Sequence, residues 1–549
     1  MLSDTRLFFK LVLLSLLMSF LMIFLAGPAQ ASSRLDPSQV QGLSQTSFAA
    51  KKQAIELLAS QQDPVAAQLL QALQQGQLYT ASPDLLLIKQ GDSYFNPFTQ
   101  QAETNQELPT KTIVLNNNLR RLVANALAQF DILSSDLSTR QSAVTKLLSQ
   151  AKQVPLDLVR TALSQETDPE LSQQLRTLEA FALLHSDPQQ SSQEQQLAAI
   201  ASLQATNHPQ ALATLFEFKQ TPGLAEPLQA AADEAIASIE QQQAYAKLAN
   251  HIFSGLSLGS ILLLAALGLA VIYGLIGVIN MAHGEFLMLG AYATYLTQNF
   301  FQAYLPAYQD YYLLLALPVA FILTALIGLL IEWLIIRHLY GRPLESLLAT
   351  FGLSLVLMQA VRMTFGAQNV EVANPSWLSG SFAPFAQSLP DFVVPYNRLI
   401  ILAFSLCVVL ALYLVLNKTR LGLFIRAVTQ NRTMASCVGI KTRRVDAYAF
   451  ALGAGIAGLG GVALSQIGNV GPDLGQAYII DSFMAVVLGG VGQLIGTVLG
   501  AFGLGIISKL GEPLLGAVLI KILILLLVII FIQKRPQGLF ALKGRSAEA

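Results

Sequence analysis

Six consecutive residues, Asn280-Met281-Ala282-His283-Gly284-Glu285, set an imidazole and a carboxylate two positions apart in apolar surroundings. The pair could relay a proton or offer two metal ligands, but a His near a helix start more often caps or hydrogen-bonds. A second group is the basic run 417–444, with Lys418, Arg420, Arg426, Arg432, Lys441, Arg443 and Arg444 and no acidic residue. A third is Gly489-Gly490-Val491-Gly492-Gln493, a glycine-rich break preceded by Asp481. Isolated polar side chains inside apolar stretches, among them Asn280, Gln359, Gln493, Ser354 and Ser482, could line a path for a polar solute. Asp481 reads as an acid opening a short helix, favourable on dipole grounds. Glu332, near Arg337 and the end of an apolar stretch, reads as a snorkelling side chain. No Gly-x-x-x-x-Gly-Lys-Ser/Thr occurs, so this chain does not hydrolyse ATP through a P-loop. The two cysteines, Cys407 and Cys437, form no metal-site spacing with histidine.

These groups belong to a chain of two unlike halves. Residues 1–250 carry 16 Lys/Arg against 22 Asp/Glu, and residues 251–549 carry 17 against 11. The N-terminus has the order of a secretory signal: basic Arg6 and Lys10, apolar Leu11 to Ala26, then Ala29-Gln30-Ala31. An uncleaved anchor is the alternative, and Gly27-Pro28 favours cleavage after Ala31. Residues 32–248 would then be exported, built without disulfides, and hold 34 Gln on polar faces. A helical period runs through 47–76 and 117–245. Asp63-Pro64, Asp168-Pro169, Asp187-Pro188 and His208-Pro209 place prolines at or near new helix starts. Helices are expected near 119–130, 137–150, 155–165, 169–185, 191–204, 208–219 and 225–248, as a HEAT-like array or an irregular bundle. Leu85–Ile88 and Thr112–Leu115 predict a small β insertion near 77–115.

Residues 250–541 read as a membrane domain. Crossings are expected near 252–277, 281–300, 311–337, 345–365, 398–416, 446–466, 478–491, 494–510 and 514–533. The break at 489–493 makes two short segments, one a candidate re-entrant one, and leaves eight or nine crossings open. The basic run, Arg337 with Arg342, and the tail residues Lys534, Arg535, Lys543 and Arg545 fall on one side, the cytoplasm by the positive-inside rule. Residue 250 then lies outside, in agreement with an exported N-terminal half, and the motif at 280–285 lies near the cytoplasmic face. Gly453, Gly455, Gly458, Gly460, Gly461, Gly496, Gly500 and Gly503 predict close helix packing. The fold class is all-α: a polytopic transmembrane helical bundle behind a mostly helical periplasmic domain with a β insertion.

Five stretches resemble the branched-chain amino acid permease family of ABC importers. They are Tyr273 to Glu285, Thr419 to Ala427, Asn431 to Ile440, Ala485 to Gly492, and Arg535-Pro536-Gln537-Gly538-Leu539-Phe540, in the family's order over about 300 residues. The resemblance implies a permease subunit of a bacterial inner membrane, with its C-terminus cytoplasmic. It places the loop that docks an ATPase at 417–444, with Arg426, Asn431, Arg432, Met434, Ala435 and Gly439 as coupling residues. Arg426 and Arg432 could pair with acids of that partner. Asn280, His283, Gly284, Glu285, Gln359, Asp481, Gly489, Gly490 and Gln493 are the expected pathway or gating residues. Ordinary members lack a large domain before the first crossing; the urea-type permeases have one. Val114 to Arg121, with Asn116, Asn117, Arg120 and Arg121, resembles a stretch of that domain. The implied partners are a second, homologous permease subunit, two cytoplasmic ATPases, a periplasmic solute-binding protein and membrane lipid, with no nucleic acid. No cofactor is expected on this chain, since ATP is used by the partner subunits. A permease for branched-chain amino acids or short amides, and an ATP-independent urea channel, are the competing expectations.

Overall fold

The computed structural model describes residues 35–45, 47–61, 63–82, 85–90, 93–99, 101–103, 111–186, 191–206, 208–277, 280–385, 389 and 391–540. The expected signal at 1–31, the turn at Gly91-Asp92, the Asp187-Pro188 start and the tail at 542–549 lie outside these residues. Two compact units divide the chain, Met1–Ile239 and Glu240–Ala549.

In the first unit, α1 (Phe48–Gln61) and α2 (Pro64–Gln74) precede five short strands: β1 (Leu78–Ser82), β2 (Leu85–Gln90), β3 (Ser93–Asn96), β4 (Gln101–Glu103) and β5 (Lys111–Thr112). The strands form one antiparallel sheet in the order β4-β3-β2-β1-β5. Helices α3 (Asn117–Asp131), α4 (Leu137–Leu148), α5 (Leu156–Gln165), α6 (Pro169–His185), α7 (Gln193–Ala205) and α8 (Ala211–Lys219) follow. Their starts have local causes. Asp63, Asn116, Asp136, Asp168 and Ser192 each accept a backbone N–H of the first turn, satisfying donors that a helix leaves unpaired. Pro64 and Pro169 occupy first positions, where a missing N–H is harmless. The core of this array gathers around α6, which packs on α4, α5, α7 and α8 and whose Phe181 is fully buried.

The sequence predicts a helix at 225–248 and a separate crossing at 252–277; the structure joins them in one helix, α9, from Glu226 to Ile276. The segment Gln241 to Asn250 contains neither Gly nor Pro, so nothing in it ends a helix.

The second unit continues with α10 (His283–Tyr304), α11 (Tyr312–Leu334), α12 (Pro343–Phe365), the two-residue strands β6 (Ser381–Phe382) and β7 (Val394–Pro395), and α13 (Tyr396–Lys418). Two short helices, α14 (Arg420–Gln430) and α15 (Arg432–Cys437), lead to α16 (Thr442–Ser465). The chain closes with α17 (Leu474–Gly489), α18 (Leu494–Leu515) and α19 (Ala517–Lys534). Among the described residues, seven helices are long and apolar enough to cross a membrane: α9, α11 with its flanking turns, α12, α13, α16, α18 and α19. Helix α10 falls short in hydropathy because it is enclosed by α11, α16 and α17, and a helix sheathed in protein need not be apolar all round. Helix α17, 16 residues long, spans about 24 Å at 1.5 Å per residue, against a hydrocarbon core of about 30 Å.

Residues 260–272 of α9 are buried without exception and form the centre of the bundle. The outer helices α13 and α19 instead turn Leu406, Leu410, Ile522 and Leu526 outward. Lipid is as apolar as leucine, so helices there associate by close packing rather than by the hydrophobic effect. Glycine supplies the closeness. A Cβ on Gly268 would meet the His283 ring at 2.9 Å, and one on Gly453 would meet Gly268 O at 2.6 Å. Gly290 lies on Gly458, Gly461 on Leu287, and Gly489 on Gly496. Gly503 differs from the expectation, since nothing stands within 4 Å of it.

Candidate functional site

After α9 ends, Gly277 adopts φ 68° and the chain turns back into the bundle. The first turn of α10 therefore stands beside the fully buried stretch 260–272 of α9. His283 Nε2 is 3.0 Å from Ala265 O, about 16 Å of helix before Ile276. This corrects the expectation of a motif near the membrane face. The sequence marks where α9 stops, but only the fold shows that the connection re-enters.

The motif's polar atoms are enclosed. Asn280, His283 and Glu285 are all buried. Asn280 Oδ1 accepts from Ala282 N at 3.0 Å, and Met281 N donates to Thr350 Oγ1 at 3.1 Å. Ser354 Oγ, on α12, donates to Glu285 Oε1 at 2.8 Å. Among the described residues, Glu285 Oε2, Asn280 Nδ2, His283 Nδ1 and Tyr292 Oη have no hydrogen-bond partner. Tyr292 stands two turns above Glu285 on the same face of α10, against Phe365 of α12 at 4.6 Å between ring centres. The charges that act on Glu285 are Arg362, on α12, and Asp473, which precedes α17. Buried polar atoms cost stability when unpaired, and one stands on each of Asn280, His283, Glu285 and Tyr292. Gln359 and Arg362 are exposed on α12. Gly284 is a packing residue: a Cβ there would stand 2.5 Å from Gly475 O.

The glycine break is also a meeting point. Gly490 and Gly492 take φ 101° and 78°, ending α17 and starting α18. Leu539 N donates to Leu488 O at 2.9 Å and Phe540 N to Gly489 O at 3.3 Å, so the stretch 535–540 is strapped onto the break. A Cβ on Gly274 would stand 2.7 Å from Gly492 Cα. Three stretches remote in sequence thus meet at one end of the bundle. Gln493 precedes α18, and its carbonyl accepts from Thr497 Oγ1. Asp481 lies in the middle of α17, not at its start, because the helix begins at Leu474; it faces Lys521 of α19 at 3.5 Å.

The basic run forms α14 and α15 between α13 and α16. Gly422 presses α14 against Leu416, and Arg426 donates to Leu416 O and Asn417 Oδ1 at 2.8 and 3.0 Å. Asn431 Oδ1 caps α15 through Met434 N at 2.9 Å. Ala435 is buried, Gly439 ends the segment at φ 88°, and Met434 and Val438 project outward, 61% and 71% exposed. Arg432 pairs with Asp446 of α16. Arg426 and Arg432 thus each hold a partner inside this chain while staying exposed. Every residue of α15 except Ala435 is exposed, and apolar Met434 is joined on that surface by Val438, which follows the helix.

Glu332 corrects another expectation. It is fully buried, bound by Arg337 at 3.0 Å and by Tyr340 Oη at 3.0 Å, and does not snorkel. Tyr340 and Asp446 carried no sequence signal, being ordinary residues until the fold sets them beside Glu332 and Arg432.

In the first unit, Asn116 is the α3 cap, accepting from Leu119 N at 2.8 Å, while Asn117 lies in the first turn. Arg120 and Arg121 are exposed, and Arg121 reaches Asn118 Oδ1 at 2.9 Å. Arg121, Asn118, Lys52, Leu122, Ser149 and Gln150 line an open cavity of about 610 Å³.

A bundle of apolar helices that encloses its polar groups and carries a basic two-helix segment outside defines a polytopic membrane protein. Residues 251–533 match the family described as the branched-chain amino acid transport system / permease component, and the chain belongs to it. It is similar to the high-affinity branched-chain amino acid transport system permease protein BraD of Pseudomonas aeruginosa, 31% identical over 292 residues, covering 53% of this chain and 94% of that protein. LivH of Escherichia coli K12 is 30% identical over 299 residues, covering 53% and 94%. A probable LivH of Methanocaldococcus jannaschii is 29% identical over 258 residues, covering 46% and 77%. No solved structure matches the chain.

Proposed function

We propose that this chain is the membrane permease of an ABC importer for a small amide-type solute, urea foremost. Solute passes from periplasm to cytoplasm by alternating access, driven by ATPases that dock on 417–444. The observation that carries the solute reading is the unpartnered Glu285 oxygen in mid-bundle, beside the Ser354 hydroxyl and below Tyr292 Oη. A carboxylate oxygen accepts the N–H groups of an amide, and a hydroxyl can serve its carbonyl. The names of the relatives favour a second reading, branched-chain amino acids, for which Glu285 and Arg362 offer opposite charges to a zwitterion.

The docking reading is supported by a 417–444 segment that leaves the bundle as two short helices with an apolar tip. A passive channel has no use for such a segment. Nine crossings are supported by the meeting of Gly274, Gly492 and Phe540, since α17 must then run to the end where α9 finishes and the tail lies. In this reading the N-terminal unit is periplasmic, a HEAT-like array beside the solute receptor, and a second permease completes the pathway.

The test is uptake of labelled urea and labelled leucine into proteoliposomes holding the complete complex, with and without ATP. ATP-dependent urea uptake is expected, falling at least tenfold in Glu285→Gln with the complex still assembled. Leucine uptake alone would favour the second reading, and unchanged uptake in Glu285→Gln would remove Glu285 from the pathway.

A further inference from the structure

Away from the enclosed motif, four charged side chains and a tyrosine close on one another where the docking segment meets the bundle. Glu332, on the last turn of α11, receives Arg337 on one oxygen and the Tyr340 hydroxyl on the other, each at 3.0 Å. The guanidinium of Arg432 lies over the Tyr340 ring, 4.9 Å from its centre. Arg432 is also the first residue of α15, and both its terminal nitrogens reach the buried carboxylate of Asp446, Nη1 to Oδ1 at 3.4 Å. Tyr340 is thus the middle piece, bonded to the α11 acid and stacked on the α15 base.

Topology alone does not call for this arrangement. Arginines suffice to set orientation, and burying a carboxylate is unfavourable unless it is paired. Here two carboxylates are buried, and each is held by an arginine from outside its own helix.

We infer that Glu332, Arg337, Tyr340, Arg432 and Asp446 form a latch that makes the docking helix move as one body with α11 and α16. This inference rests on the reading that 417–444 docks an ATPase. The covalent path from α15 to α16 turns at Gly439, φ 88°, closed by local bonds from Gly439 N to Ser436 O at 3.1 Å and from Ile440 N to Ala435 O at 3.0 Å. The latch adds directional, charge-assisted bonds that reach α11 and α16 directly. Beyond the latch the packing is tight. Gly328 of α11 lies on Ala454, Thr324 lies on Gly458, and Gly458 and Gly461 bear on α10, the helix that carries Glu285. A tilt of α15 therefore reaches the solute path through two helix contacts. These five are positioning residues, and none touches solute.

The test uses the complete complex in proteoliposomes, with labelled urea and labelled leucine as probes, and amide hydrogen exchange of the full chain in detergent. Tyr340→Phe, Glu332→Gln and Asp446→Asn are expected to keep ATP hydrolysis within twofold while uptake per ATP falls at least tenfold. Exchange across 431–440 should rise while 447–465 stays protected. Uptake per ATP within twofold of the parent in assembled variants would overturn the latch, as would unchanged exchange across 431–440. Should Asp446→Asn or Glu332→Gln fail to assemble, Tyr340→Phe, which removes a single hydroxyl, carries the test. If the parent complex drives neither probe with ATP, the importer reading fails, and the exchange arm alone decides the latch.

Discussion

Replacing Gly290 with Ala puts one methyl group where the backbones of α10 and α16 touch. The added Cβ would stand 2.6 Å from Gly458 Cα, and closer still to its carbonyl oxygen, whereas ordinary contact begins at 3.4 Å. Neither atom is the end of a flexible side chain, so the two helices must part by roughly 1 Å, and overpacking on that scale costs about 1–3 kcal/mol. The same chemical change elsewhere has the opposite sign. Gly352 of α12 and Gly503 of α18 have nothing within 4 Å, so alanine there gains about 0.5–1 kcal/mol of helix preference without a clash. The assay is unfolding in mixed micelles by titration with sodium dodecyl sulfate, run on all three variants beside the parent. Gly290→Ala should unfold at a lower detergent fraction than the parent, and the two controls at an equal or higher one. If Gly290→Ala tracked the controls, the close approach of α10 and α16 would not exist as described.

Two further outcomes concern the first unit. The Glu166 side chain is 2% exposed, and its bond from Arg140 at 2.8 Å is the main cause that holds its carboxyl down, from 4.5 to about 2. A depressed acid contributes stability above its unfolded pKa and loses it as pH falls through the folded value. The pair should thus stabilise the fold at neutral pH, and that contribution should vanish between about pH 4.5 and 2; thermal melting of parent and Arg140→Gln across that window checks it, and parallel curves would count against it. Asn116→Ala should destabilise α3 by about 1 kcal/mol, with Asn117→Ala nearly neutral, read by urea unfolding; equal effects would deny Asn116 the cap.

Much of the architecture is legible in the chain because its causes are local. Asp63-Pro64 and Asp168-Pro169 start helices by capping and by proline's fixed φ, and the structure begins α2 and α6 there. Apolar runs of membrane length become helices because no other local structure satisfies the backbone in lipid. Gly489-Gly490 ends α17 as read, since both the break and the positive φ are properties of glycine itself. The helix read at 225–248 and the crossing read at 252–277 are one helix, α9, because a change of composition is not a helix stop.

The amino-acid sequence by itself determines which segments are helices, which are apolar enough for lipid, and which family carries these motifs, because those depend on residues near one another in the chain. Depth and pairing depend on residues far apart, and only the tertiary structure decides them. The turn back at Gly277 carries Glu285 to mid-bundle against Ser354, 69 residues away. The fold likewise sets Arg432 on Asp446 and Tyr340, and binds Phe540 to Gly489. A buried carboxylate is tolerated only where partners from other helices converge on it, and that convergence is a property of packing, not of spacing.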